Sequence, residues 1–99
     1  AVSSARSSAR RAIAANPEDF SFFNNRGLAF YALRRYEEAI ADFTRAAELN
    51  PQSSMPLSNR GVAYEDSGDR ERAIADYRRA VEIDPSDQTA RNNLNKLLK

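Results

Sequence analysis

Apolar residues recur along the chain at spacings of three and four, the pattern of helices that bury one face. In residues 19–33 this apolar stripe consists of Phe23, Gly27, Phe30 and Leu33. In residues 37–49 it consists of Ala39, Ile40, Phe43, Ala46, Ala47 and Leu49. Polar and charged residues occupy most of the positions between them. The pattern predicts two consecutive amphipathic helices.

The same pattern returns 34 residues later, so the chain is a tandem repeat. Residues 51–84 match residues 17–50 at 13 of 34 positions, and an Asn-Pro or Asp-Pro pair closes each unit. The second stripe consists of Leu57, Gly61, Tyr64, Ala73, Ile74, Tyr77, Ala80, Val81 and Ile83. We therefore predict one domain over residues 1–99, with repeats at 17–50 and 51–84 and a closing helix in 85–99. In that last helix Ala90, Leu94, Leu97 and Leu98 are predicted to be buried.

Residues 1–16 keep the register of the repeat, with Ala5, Ala12 and Pro17 at the places of Ala39, Ala46 and Pro51. They are also rich in Ser and Arg and free of acids, as organelle-targeting segments are. We favour the second helix of an incomplete upstream repeat, which makes the chain a fragment of a longer protein. Its apolar edge, formed by Ala9, Ala12 and Ile13, suggests an alternative function in self-association.

Composition narrows the function classes. The 99 residues include 15 basic and 14 acidic side chains, with no Cys, His or Trp. Without thiols or imidazoles, the usual nucleophile, general base and transition-metal ligands are missing. We therefore predict no enzyme activity, no metal and no cofactor. A net charge of +1 gives no general attraction to nucleic acid, and no apolar run is long enough for a membrane span. No compartment is identified, although a cytoplasmic location is favoured over an organellar one.

Two further features of the repeat concern its stability. Gly68 follows the first helix of the second unit, where a left-handed residue ends a helix, and Asp69 can cap the next helix. The first unit has Arg34 at that place, which predicts a looser turn. Each unit also carries an Arg on its first helix and an Asp on its second. We predict that they form ion pairs within the repeat, Arg26 with Asp42 and Arg60 with Asp76.

The 34-residue unit resembles the tetratricopeptide repeat. The residues that carry the resemblance are small residues at Gly27, Ala39 and Ala46, aromatics at Phe30 and Phe43, and the Pro51 that follows the first unit. The pattern is matched again by Gly61, Tyr64, Gly68, Ala73, Tyr77, Ala80 and Pro85. Phe23 and Leu57 stand where the family often has Trp. The resemblance implies an all-α, right-handed α-solenoid of antiparallel helix pairs, about six helices in all. It also implies a protein–protein interaction module with a concave groove.

Three asparagines mark the candidate site. Asn25, Asn59 and Asn93 lie 34 residues apart on successive first helices, and we call them the asparagine ladder. By resemblance, this face lines the groove, where a carboxamide can donate to and accept from the main chain of an extended peptide. The other groove candidates proposed at compatible positions are Asn24, Asn92, Leu28, Val62, Met55, Tyr31 and Lys96. The alternative for the ladder is a bond that stabilises neighbouring repeats.

Some members of the family hold the carboxylate tail of a chaperone with a clamp of Lys, Asn and Arg side chains. The corresponding residues here are Asn24, Leu28, Asn59, Thr89 and Asn93, and only Asn59 matches. The sequence therefore predicts a peptide or protein segment as the partner, but not such a tail. Self-association through the N-terminal helix remains the alternative.

Overall fold

The computed structural model describes the backbone of residues 17–99 and the side chains of residues 19–99. This part of the chain forms five helices and no strands, which confirms the predicted all-α fold. The helices are α1 Pro17–Ala32, α2 Tyr36–Leu49, α3 Met55–Asp66, α4 Arg70–Ile83 and α5 Gln88–Leu98. The helix predicted in residues 1–16, with the apolar edge proposed for self-association, lies outside the described residues.

Each helix packs against the next one in the chain, and the core is divided accordingly. One buried cluster joins α2 to α3 through Ala39, Phe43 and Ala63. A second cluster joins α4 to α5 through Ala73, Tyr77, Ala80 and Ala90. Because every contact surface is shared between neighbours, stability is distributed along the stack as in other repeat proteins.

Two glycines allow the helices of each pair to approach closely. A Cβ atom on Gly27 would lie 2.6 Å from Cε1 of Phe43, and one on Gly61 would lie 2.7 Å from Cε1 of Tyr77. Both rings are fully buried. Each ring therefore occupies the space that a side chain on the facing helix would need, so only glycine fits without displacing the ring.

The turns between paired helices have the same geometry in both units. Arg34 has φ 63° and Gly68 has φ 95°, the left-handed conformation in both cases. The amide that follows donates to a carbonyl at the helix end at 2.9 Å in the first turn and 2.8 Å in the second. The first turn is therefore not looser, contrary to the sequence prediction. Its penalty is the conformational strain of Arg34. As predicted, Asp69 caps α4 by accepting from the Arg72 amide at 3.1 Å, and Arg35 makes no such bond.

Three details of the predicted helices differ from the structure. Leu33 lies in the turn after α1 and is 66% exposed, and Leu98 at the end of α5 is 51% exposed, so neither belongs to the core. A proline at the start of each repeat favours the opening of a helix. Pro17 does open α1, but Pro51 and Pro85 lie in turns, four and three residues before the next helix begins. The remaining buried residues of the closing helix are placed as predicted, with Ala90 buried and Leu94 and Leu97 packed against the second core cluster.

The predicted ion pairs within each repeat are present. Arg26 binds Asp42 through two nitrogens, both at 2.8 Å, and Arg60 binds Asp76 at 2.7 and 2.6 Å. Both carboxylates are buried. Arg60 also donates to Thr44 at 3.1 Å, so this second pair additionally ties α3 to α2 of the preceding repeat. Such two-pronged contacts fix geometry more strictly than a single bond does.

Candidate functional site

The residues predicted to line the groove lie on the first helices of successive units, α1, α3 and α5. We call this set the groove face. It consists of Asn24, Asn25, Leu28, Tyr31, Met55, Asn59, Val62, Asn92, Asn93 and Lys96. Hydrogen bonds between side chains join α1 to α3 at two places, and an ion pair joins α3 to α5. The repeat therefore brings one helix of each unit into a single row.

Asn24 holds α1 to α3. Its amide nitrogen donates to the sulfur of Met55 at 3.3 Å, and its carbonyl oxygen accepts from Asn59 at 3.0 Å. The side chain is only 4% exposed, so little of it is accessible to a ligand. The sequence placed Asn24 beside the ladder as a groove contact, whereas the structure shows it positioning Met55 and Asn59.

The members of the asparagine ladder have three different environments. Asn25 is exposed on α1, while Asn59 is half-buried and bonded to Asn24. Asn93 is half-buried beside the hydroxyl of Tyr77. The alternative of a bond between neighbouring repeats thus holds for Asn59. That bond uses one N–H of the Asn59 carboxamide, which has a second donor and a carbonyl oxygen.

A tyrosine–carboxylate contact joins the C-terminal ends of α1 and α3. The hydroxyl of Tyr31 donates a hydrogen bond to Asp66, and the Tyr31 ring lies 5.8 Å from that of Tyr36. The hydrogen bond to Asp66, together with partial burial, raises the pKa of Tyr31 to about 12. The contact with Asp66 holds the Tyr31 hydroxyl at the edge of the groove face.

Glu65 connects three helices. Its carboxylate accepts from the Tyr77 hydroxyl of α4 at 3.0 Å and lies 3.2 Å from Nζ of Lys96 on α5. Burial and the bond to Glu65 raise the pKa of Tyr77, and Asn93 partly opposes this. Sequence reasoning assigned Tyr77 to the core alone. The sequence does carry a signal for this role of Tyr77, because Phe43 stands at the equivalent position of the first unit and a buried tyrosine hydroxyl needs a hydrogen-bond partner.

A cavity of about 310 Å³ opens between α3 and α5, at the end of the groove face where Met55 and Asn59 lie. It is lined by Ser54, Met55, Ser58, Asn59, Asp84, Asp87 and Thr89. Asp87 caps α5 by accepting from the Ala90 amide at 3.1 Å and also accepts from Ser54 at 2.7 Å and Ser58 at 2.9 Å. Burial alone would raise the pKa of Asp87, but these hydrogen bonds outweigh it and lower that pKa.

Apolar contacts are available beside these polar groups. Met55 is 53% exposed and Leu28 is 41% exposed, whereas Val62 is half-buried against the second core cluster. Asn92 is exposed on α5. Exposed apolar side chains therefore lie beside the polar groups of the groove face.

The described residues contain no group of three or more acidic, His or Cys side chains placed to hold a metal ion. Within the same part of the chain, no helix has the length and apolar character that crossing a membrane requires.

Comparison with known families identifies the repeat. Two family models, each described as tetratricopeptide repeat, match residues 2–54 and residues 56–87. The chain belongs to the tetratricopeptide repeat family. The family membership extends to residues that the structure does not describe, because the first model begins at residue 2. None of the curated proteins compared with the chain matches it.

Several solved tetratricopeptide repeat domains have the same fold. The second such domain of human RPAP3, in complex with the HSP70 peptide SGPTIEEVD, is 30% identical with a TM-score of 0.77, over 91% of this chain and 75% of that one. The first domain of Spaghetti (RPAP3), bound to the HSP90 peptide SRMEEVD, is 32% identical with a TM-score of 0.74, over 83% and 63%. The Sgt2 domain from Aspergillus fumigatus is 33% identical with a TM-score of 0.78, over 86% and 56%. The chain thus spans less than two thirds of the last two.

Proposed function

We propose that this tetratricopeptide repeat chain binds an extended segment of a partner protein along the groove face. The observation that carries the proposal is the row of polar side chains that joins α1, α3 and α5, with exposed Met55 and Leu28 beside it. Two relatives of similar fold are bound to peptides, which supports the same kind of ligand here.

The asparagine ladder gives this surface a way to hold a peptide whatever its side chains. A carboxamide matches both the N–H and the C=O of an extended main chain. Asn25 is exposed and therefore accessible to a peptide. The Asn59 side chain is already held by its hydrogen bond to Asn24, so it loses little conformational entropy on binding. Because the described helices offer a short groove, the affinity for an isolated peptide is expected to be modest.

The ligand we propose differs from the peptides of those relatives. Both of those peptides end in the acidic sequence EEVD. At the five positions where the resemblance places a carboxylate clamp, this chain has no basic side chain, and the residues are Asn24, Leu28, Asn59, Thr89 and Asn93. Of these, Asn24 is buried as well.

Selection from a randomised peptide library displayed on phage, followed by fluorescence anisotropy of an enriched peptide, tests the proposal. Asn25→Ala and Asn59→Ala are each expected to weaken binding about threefold to tenfold, the value of one or two hydrogen bonds. Asn95→Ala is the matched control, because Asn95 is exposed on α5 and lies outside the groove face.

Thermal unfolding of the same variants separates binding from folding. Asn25→Ala is expected to melt like the wild type. If Asn25→Ala and Asn59→Ala lower the melting temperature strongly but leave the peptide affinity of the folded protein unchanged, the asparagine ladder is structural and the proposal is refuted. The proposal would also be refuted if no peptide from the library were enriched on the wild-type protein.

A further inference from the structure

We infer that the cavity between α3 and α5 receives a basic side chain of the bound peptide, so that the groove face selects basic over acidic segments. The inference rests on the proposed function and names the chemistry of its ligand. It comes from the charge of the cavity, the hydrogen bonds of its two carboxylates and the ion pair made by the lysine of the groove face.

The cavity is lined by two carboxylates, Asp84 and Asp87, and none of its lining residues in the described part of the chain is basic. Its other lining groups are hydroxyls, one carboxamide and the thioether of Met55. Its volume of about 310 Å³ is at the lower end of the range for small-ligand pockets, enough for one long side chain. The cavity is continuous with the groove face, because Met55 and Asn59 belong to both.

Both carboxylates are hydrogen-bonded to neutral donors, so their negative charges are not cancelled by those contacts. Asp87 accepts from two serine hydroxyls and the Ala90 amide, which together lower its pKa and keep it ionised. Asp84 accepts from the amide and the hydroxyl of Ser86, at 3.0 and 2.6 Å, and both bonds end on Oδ1. A carboxylate has about four acceptor positions. No described residue donates to Oδ2 of Asp84, so Oδ2 can accept from an incoming cation.

The charge of the lysine on the groove face, Lys96, is already compensated. Lys96 pairs with Glu65 at 3.2 Å, and Glu65 lies on the same helix as the cavity residues Ser58 and Asn59. Arg91 donates to the carbonyl of Pro85 at 3.2 Å and is not among the cavity-lining residues. An acidic segment in the cavity would therefore face Asp84 and Asp87. Like charges brought together at an interface are repelled strongly enough to exclude a partner.

Met55 completes the fit to a long basic side chain. It is 53% exposed at the cavity and its sulfur is held by Asn24. Lysine and arginine bury their aliphatic stems against apolar groups while their charged ends bind carboxylates. The cavity thus offers an apolar wall for the stem and an anionic end for the charge.

The test uses the full chain and measures the charge preference of peptides selected from a randomised displayed library. We expect the selected peptides to be enriched in Lys or Arg over Asp and Glu. By fluorescence anisotropy, replacing the basic residues of a selected peptide with Glu should weaken binding by about tenfold or more, and replacing them with Gln should weaken it less. The HSP70 peptide SGPTIEEVD serves as the acidic reference and should bind no better than the Glu copy.

Asp84→Asn is the decisive variant, because it removes the charge and keeps the shape. The affinity for the basic peptide should fall about threefold to fivefold. The ratio of the affinities for the basic peptide and its Glu copy should fall as well. Glu71→Gln is the matched control, an exposed acid on α4 outside the cavity. Asp87→Asn is a second variant that should also narrow the ratio, with a lower melting temperature since Asp87 caps α5.

The outcomes distinguish this inference from the proposed function. The charge preference alone would be overturned if the enriched peptides bound the groove face but had no excess of Lys and Arg. It would also be overturned if Asp84→Asn left the ratio of affinities for the basic and Glu peptides unchanged. Failure of every peptide to enrich would overturn both. A preference for SGPTIEEVD over the basic peptide would reverse the inference and leave peptide binding in place.

Discussion

Asn59 on α3 donates a hydrogen bond of 3.0 Å to Asn24 on α1, a residue 35 positions earlier in the chain. The bond links side chains of two successive repeats. Asn59 belongs to the asparagine ladder, whose members recur every 34 residues. Asn24 is buried, and its hydrogen bond fixes the orientation of the Asn59 side chain. One asparagine is thus a candidate ligand contact and the other supports it.

The ion pairs should differ in strength although they occupy equivalent positions. Arg60 is 22% exposed and also binds Thr44, whereas Arg26 is 47% exposed. A double-mutant cycle with Arg60→Ala and Asp76→Ala should give a coupling of roughly 1 kcal/mol after solvent screening. The Arg26 and Asp42 cycle should give less. Denaturant unfolding measures both, and additive losses for Arg60 and Asp76 would show that the pair contributes nothing.

Gly27→Ala should destabilise the chain by about 1–3 kcal/mol, because the new methyl group would overlap the buried Phe43 ring. Chemical denaturation measures the loss. The double variant Gly27→Ala with Phe43→Leu provides the control, since the smaller side chain relieves the overlap and the two losses should not add. Full additivity would contradict the steric explanation.

Arg34→Gly should stabilise the chain by about 1 kcal/mol, because glycine adopts the left-handed conformation without strain. Gly68→Ala makes the opposite change at the matching position of the second unit and should be destabilising by a similar amount. Thermal unfolding of the two variants measures this. A lower melting temperature for Arg34→Gly would mean that the arginine side chain stabilises the turn more than its conformation costs.

Tyr31 should ionise only near pH 12, and Asp66→Asn should bring its pKa back toward the ordinary value near 10. Since the pKa of Tyr31 is raised by folding, its contribution to stability is fully present below pH 10 and is lost as the pH rises through 12. Absorbance of tyrosinate during an alkaline titration measures the ionisation. Tyr31→Phe identifies the signal, and an unshifted Tyr31 would contradict the hydrogen bond.

Much of the fold follows from the sequence, because apolar spacing and the 34-residue period both report directly on helix packing. Leu33 and Leu98 are exceptions, since each lies at a helix end where none of the described helices covers it. The equal turns at Arg34 and Gly68 show that tertiary packing imposed a backbone conformation that local preference disfavours.

The site was less predictable. The period places Asn24 and Asn25 on one helix, but adjacent residues point about 100° apart, and only packing against α3 decides which is buried. The roles of Tyr77 and Asp87 depend on partners from other helices, Glu65 for the first and the serines of α3 for the second. No local pattern reports such pairings.

Chemical-shift mapping by NMR tests peptide binding on the groove face most directly. The ¹⁵N-labelled chain is titrated with a peptide selected from the displayed library, and the amide shifts are followed residue by residue. We predict that the largest shifts fall on α1, α3 and α5, around Asn25, Asn59 and Asn93, and that exposed residues of α2 and α4 such as Ala41 and Glu71 are unaffected. Shifts concentrated on α2 and α4, with the ladder unchanged, would contradict the account.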